Sequence, residues 1–204
     1  EGATSIILDL RDNPGGLLHE AVNISNIFLP KGKKVVDTKG KITDLNRTYK
    51  TLDEPVDTQI PLAILTNSGS ASASEIVAGV IQDFDRGVLI GEKTFGKGLV
   101  QSTRPLSYNA QLKVTTAKYY IPSGRCIQAL DYAHRNADGT VNKLPDSLKV
   151  AFKTGNGRVV YDGDGLDPDV VVEVEDYPSI ALVLSSKGYL FQYATLYHYQ
   201  HPQI

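Results

Sequence analysis

Residues 61–91 read PLAILTNSGSASASEIVAGVIQDFDRGVLIG. Pro61 to Leu65 is an apolar run short enough for a buried strand, and a stretch of small polar residues interrupts it. From Ser74 to about Phe84, the apolar residues Ile76, Val77, Val80 and Ile81 then recur at helical spacing. Gly87 to Gly91 forms a second apolar run after a short loop. Strand, helix and strand at these lengths predict a βαβ crossover, and hence a parallel sheet. The N-terminus repeats the first half of the unit. Thr4 to Leu10 is a buried-strand pattern, Asp12-Asn13-Pro14-Gly15-Gly16 is a tight turn, and Leu17 to Phe28 has helical spacing.

Beyond this α/β core the pattern changes. Lys34 to Val36 predicts a short strand, while Gly98 to Thr103 and Gln111 to Ile121 alternate as antiparallel strands do. Residues 129–164 are rich in Asn, Asp, Lys and Gly and predict a polar excursion. Val159 to Tyr161 and Val170 to Val174 resume strand character, Ser179 to Ser185 is a short helix candidate, and the tail from Tyr189 to Tyr199 is aromatic at helical spacing. No linker divides the chain, so residues 1–204 are expected to form one domain.

The bulk numbers exclude several classes. The chain has 204 residues, 41% hydrophobic and 22% charged, with a formal charge of −2, values typical of a globular protein and without the basic excess of a nucleic-acid binder. Its single cysteine, Cys126, excludes an internal disulfide framework and cannot alone make a zinc site. No apolar run approaches the ~18 residues of a membrane helix. The absence of methionine, initiator included, is expected of a piece cut from a longer polypeptide whose targeting segments lie elsewhere. No cofactor or metal is expected; the acidic turn Asp162 to Asp167 lacks the later glutamate of a calcium loop.

Residues 67–76, NSGSASASEI, carry four serines: Ser68, Ser70, Ser72 and Ser74. Ser72-Ala73-Ser74-Glu75 fits a capping box, a purely local reading. The head of a helix is also where an oxyanion meets free amides and a favourable dipole. A serine nucleophile needs a base. None of the four histidines (His19, His134, His198, His201) sits in a strand-end turn beside an orienting acid. A better candidate is Lys97, between Gly96 and Gly98. On an extended strand, residues 97, 99 and 101 share one face, which groups Lys97 with Leu99 and the neutral amide of Gln101. A lysine is a base only when neutral, a state that an apolar setting favours. The Gly15-Gly16 turn leaves its amides at the C-terminal end of a strand, where open parallel sheets place their sites, and they could complete an oxyanion hole.

Taken in order, LDLRDNPGG (8–16), NSGSASASEI (67–76), GVLIGEKTFGKGLVQ (87–101), AKYYIPSGRCIQ (117–128) and GLDPDV (165–170) resemble the protease core of the carboxyl-terminal processing peptidases, also called tail-specific proteases. The resemblance implies the fold shared with crotonase and ClpP-like proteins, with parallel βαβ units and a smaller antiparallel β region. It implies a serine endopeptidase with Ser72 as nucleophile, Lys97 as base and Gln101 as its orienting partner. Oxyanion amides would come from Ala73 and from Gly15 or Gly16. Substrates would be proteins with free C-termini, and the location would be the cell envelope, the periplasm in particular, with any membrane anchor outside this chain. The family's PDZ domain and the core elements before the first strand are absent, so the exposed sheet edge implies self-association. Two other classes use the same fold: a non-catalytic binding or scaffold module, and an acyl-CoA enzyme that needs neither the lysine nor the glutamine.

Overall fold

The computed structural model describes residues 2–172 and 178–203. In chain order the first elements are β1 (Ile6–Asp9), α1 (Leu18–Phe28), β2 (Lys34–Lys39), β3 (Arg47–Lys50), β4 (Leu62–Thr66), α2 (Ala73–Asp83) and β5 (Val88–Gly91). There follow β6 (Leu99–Pro105), β7 (Gln111–Tyr120), β8 (Leu130–Arg135), β9 (Val141–Lys143), β10 (Ala151–Lys153), β11 (Val159–Tyr161) and β12 (Val170–Val171). Helices α3 (Ser179–Ser186) and α4 (Tyr189–Gln200) close the chain. It divides into two compact units, residues 1–172 and 173–204. In the second, α3 and α4 carry no buried residue. The expected strand from Val170 to Val174 is seen as β12, and its last two residues lie outside the described ones.

The first unit is mixed α/β. One sheet has strand order β1-β4-β5-β12, every pairing parallel. β4, α2 and β5 form the expected crossover, with Ile64 and Leu89 facing each other in register. A second sheet, β3-β2-β7-β6, is antiparallel. Every residue of α2 is buried, because the helix lies in a core fed from both sheets, with Ile64 and Leu89 from one and Val35, Val36 and Tyr119 from the other. That explains the apolar run from Ile76 to Ile81, with Gly79 where a Cβ would lie 2.7 Å from Ile121 Cδ1.

Two expectations change. Thr4 to Leu10 reads as a buried strand, yet β1 is an edge strand with alternating burial and Ile7 is 69% exposed. Nor does Lys97 lie in a strand. β6 begins at Leu99, and Lys97 occupies the preceding glycine-flanked turn. The β6–β7 ladder then skips at Val100/Gln101, which pair with Ala117 and Thr115 and leave Thr116 as an extra residue on β7.

Residues 129–164 form two small antiparallel pairs, β8–β9 and β10–β11. Asp164 stitches this excursion to the turn before β6, accepting hydrogen bonds from Lys93 (2.6 Å) and Lys149 (2.9 Å). Burial alone would raise the Asp164 carboxyl, but the two ammonium groups hold it at about 2.

In the last turn of α2, Arg125 donates to Asp83 Oδ1 (2.9 Å) and Gln82 Oε1 (2.7 Å), while Ser123 N–H donates to Asp83 Oδ2 (2.8 Å). Both charged side chains are at most 2% exposed. Burial raises the Asp83 carboxyl, and the Arg125 charge opposes that. Removing one partner of such a pair strands the other charge in the interior. Arg125→Ala should therefore cost about 3–5 kcal/mol in urea unfolding, and a loss below about 1 kcal/mol would show that the pair is not holding this end of the helix.

Candidate active site

The four serines of residues 67–76 have separate fates. Ser68 is exposed on the turn. Ser70 is buried and its hydroxyl donates to Leu10 O at 2.7 Å. Ser74 is buried within α2. Ser72 alone lines a pocket of about 310 Å³, at the N-cap of α2.

Ser72 has φ 57° and ψ −116°, a left-handed conformation that a side chain adopts at a cost of about 1–3 kcal/mol. The strain persists because its surroundings over-determine it. Ala71 N–H donates to Asn13 O (3.0 Å), Ser70 N–H to Asn67 O (2.9 Å), and the Asn67 side chain bridges Asp12 N–H (2.8 Å) and Gly69 N–H (3.0 Å). The Asn13-Pro14-Gly15-Gly16 turn is thereby pressed on the serine turn. Gly15 has φ +83°, and a Cβ there would lie 2.5 Å from Ala71 O and 2.6 Å from Ala73 N, so no other residue fits.

This packing distinguishes the two glycines. Gly15 N–H donates to Asn13 Oδ1 at 2.9 Å and is occupied. Gly16 N–H and Ala73 N–H have no acceptor among the described residues, and both residues line the pocket. Two free amides thus border one cavity at the positive end of a buried helix, an arrangement suited to an oxyanion.

Lys97 is half-buried and, with Gln101, lines the same pocket. Neither its ammonium nor the Gln101 amide has a hydrogen-bond partner among the described residues, and Gln101 is exposed. Tyr119, 2% exposed, donates its hydroxyl to Lys97 O and lies against Ser72. Burial, then the nearby Glu75 charge, push its phenol well above the usual range, so it remains a donor. None of the four histidines lines the pocket. No group of three or more His, Cys, Asp or Glu side chains among the described residues is placed to hold a metal ion.

The capping box expected of Ser72 and Glu75 is present, with Ser72 N–H donating to Glu75 Oε2 at 2.8 Å. The same fully buried carboxylate also accepts Lys97 N–H (2.9 Å), Gly96 N–H (2.7 Å) and the Thr94 hydroxyl (2.5 Å). Glu75 therefore ties the backbone of Ser72 to the backbone of Lys97. Gly96 permits the approach, since at φ +86° a Cβ would meet Ala129 Cβ at 2.5 Å. Burial raises the Glu75 carboxyl, and Thr94 and the three amides offset this in part. The visible signal was the spacing from Ser72. The Thr94 to Lys97 partners are remote in sequence and gave none.

The comparisons with known proteins agree with this arrangement of elements. The model of Peptidase family S41 matches residues 1–133, and the chain belongs to that family. Over 125 residues it is 50% identical to a carboxy-terminal-processing protease of Bartonella bacilliformis, covering 61% of this chain and 28% of that protein. Over 191 residues it is 37% identical to a probable CtpA-like serine protease of Staphylococcus aureus, covering 93% and 31%. Among solved structures it is similar to a photosystem II D1 C-terminal processing protease, with a TM-score of 0.61 and 30% identity over 87% of this chain and 37% of that one. The chain spans about a third of the length of the curated relatives it matches.

Glu75→Gln would keep one acceptor oxygen and turn an amide donor toward backbone N–H groups. Two of the four donors would then be unmet, at about 1–3 kcal/mol each. The expected outcome is a loss of about 2–5 kcal/mol in urea unfolding, with hydrogen exchange at Gly96 and Lys97 accelerated beyond the change at core amides. Uniform acceleration throughout the protein would mean that the carboxylate is no more than a cap.

Proposed function

We propose that this chain carries the catalytic centre of a serine endopeptidase with Ser72 as nucleophile and Lys97 as general base. The observation that carries the reading is the one pocket shared by a strained serine, a half-buried lysine and two unpartnered amides. On this reading, Lys97 Nζ is the base that takes the Ser72 hydroxyl proton as Oγ attacks the scissile carbonyl carbon. The resulting oxyanion receives hydrogen bonds from Ala73 N–H and Gly16 N–H. Collapse breaks the C–N bond, and the lysine ammonium returns its proton to the departing amine. Lys97 then deprotonates a water that attacks the acyl-enzyme, releasing the new carboxyl terminus and Ser72.

Gln101 is the orienting partner of Lys97, reached once substrate orders the pocket, and Gly15 shapes the oxyanion site without donating to it. The apparatus lies wholly within residues 1–172, on a core of the crotonase and ClpP-like type. Carboxy-terminal processing appears in the names of two of the relatives, which supports protein substrates processed at their C-termini; an envelope, periplasmic setting is part of the same proposal.

A fluorophosphonate probe should label the Ser72 peptide, identified by mass spectrometry. Lys97→Ala should slow labelling by about 10²–10⁴-fold, whereas Ser68→Ala should leave it unchanged. Undiminished labelling in Lys97→Ala would sink the dyad. Gly16→Pro removes one amide N–H at a position without positive φ. It should lower kcat by about 10²–10³-fold with little change in KM, and a kcat within a factor of two of the unmodified protein would move the oxyanion site elsewhere.

A further inference from the structure

A second cleft, of about 710 Å³, adjoins the catalytic pocket and shares Leu99 with it. Lys39, Lys41 and Lys118 stand around it, with Leu130 and Tyr132 as apolar wall. Lys39 and Lys118 are direct partners across the β2–β7 ladder, and Lys118 is in turn the partner of Leu99 on β6. One row therefore runs Lys39, Lys118, Leu99 across three strands, ending two residues past Lys97. Like charges set directly opposite on antiparallel strands are destabilising. None of the three lysines forms an ion pair among the described residues, and Lys39 and Lys118 are exposed. Lys39 lies over the Tyr120 ring, 5.1 Å from its centroid, which holds it on the cleft side. The single acid of the lining, Asp131, is engaged by His134 Nδ1 (2.7 Å) and Ala133 N–H (3.0 Å). The cleft is thus cationic in a chain whose formal charge is −2.

We infer that this cleft is a substrate subsite for acidic side chains, aspartate or glutamate, lying a few residues from the scissile bond. The identity of the occupant rests on the peptidase reading above; the chemistry of the cleft does not. From strand geometry the Lys118 backbone is roughly 8 Å from that of Lys97, so a peptide held at Ser72 reaches the lysine row within roughly three to five extended residues. The shared Leu99 wall gives the peptide a continuous apolar floor, and the lysine row supplies the charge complement.

The test uses two N-acetylated, C-amidated decapeptides, one with a run of glutamates and one with glutamines in their place, titrated calorimetrically at low salt. The glutamate peptide should bind about five- to tenfold more tightly. That ratio should fall to about one in Lys39→Gln/Lys118→Gln, and the charge-reversed Lys39→Glu/Lys118→Glu pair should favour a lysine peptide instead. A ratio near one in the unmodified protein, or a ratio unmoved by the double variant, overturns the subsite. So does an equal lysine-dependent gain with a glutamine peptide bearing a free C-terminal carboxylate, or with a DNA duplex. Probe labelling of Ser72 is scored separately. Its absence with the ratio intact removes the peptidase reading and keeps a carboxylate subsite, whereas its presence with a ratio of one removes the subsite alone.

Discussion

The Glu75 carboxylate is the constraint on which the rest of the site depends. It is buried, with no cation paired to it among the described residues, in a setting where an ionised group loses several kcal/mol of hydration. Four donors replace that hydration, one from the head of α2 and three from Thr94, Gly96 and Lys97. The Phe95 N–H donates to Ser70 O (3.0 Å) beside it, and Tyr119 bridges Lys97 O and Ser72, so the carboxylate is the centre of a clamp that fixes the separation of the two segments. A substituent of other shape or charge would alter that separation directly. Aspartate, one methylene shorter, would not span the gap, and glutamine would offer donors to donors.

With that knot in place, the strain at Ser72 becomes intelligible. A backbone at φ 57° and ψ −116° needs outside support, and it comes from the Asn13 and Asn67 turns and from Gly15 packed against Ala71 and Ala73. The same packing consumes the Gly15 amide and leaves those of Gly16 and Ala73 open to the pocket. Tyr119 closes the rear, its hydroxyl holding the Lys97 carbonyl. Strain, glycine and free amides are thus three aspects of one packing arrangement.

Much of this was legible in the sequence, for identifiable reasons. The run from Pro61 to Gly91 spells its crossover because buried parallel strands and a buried helix both need apolar residues, and small polar residues mark the turn between them. Ser72 and Lys97 stand out by context, one at a helix head and one between glycines. What the sequence conceals depends on contacts far along the chain. Glu75 looks like a cap because only its Ser72 partner is local. Gly15 and Gly16 are equivalent until the Asn13 side chain selects between them. Lys97 falls before β6, and the register skip beside Thr116 cannot be read from alternation. The apolar Thr4 to Leu10 run gives no sign that β1 lies at an edge, since edge position is a property of the sheet.

The central claim is that one packing arrangement presents Ser72 together with the amides of Ala73 and Gly16. It is tested most directly by a crystal structure of the protein carrying a covalent phosphonate. The account predicts the phosphorus on Ser72 Oγ, with one phosphoryl oxygen about 2.7–3.1 Å from both Ala73 N and Gly16 N, and Glu75 retaining its four donors. A phosphonyl oxygen turned to solvent with both amides unengaged, or an adduct on another serine, would contradict it.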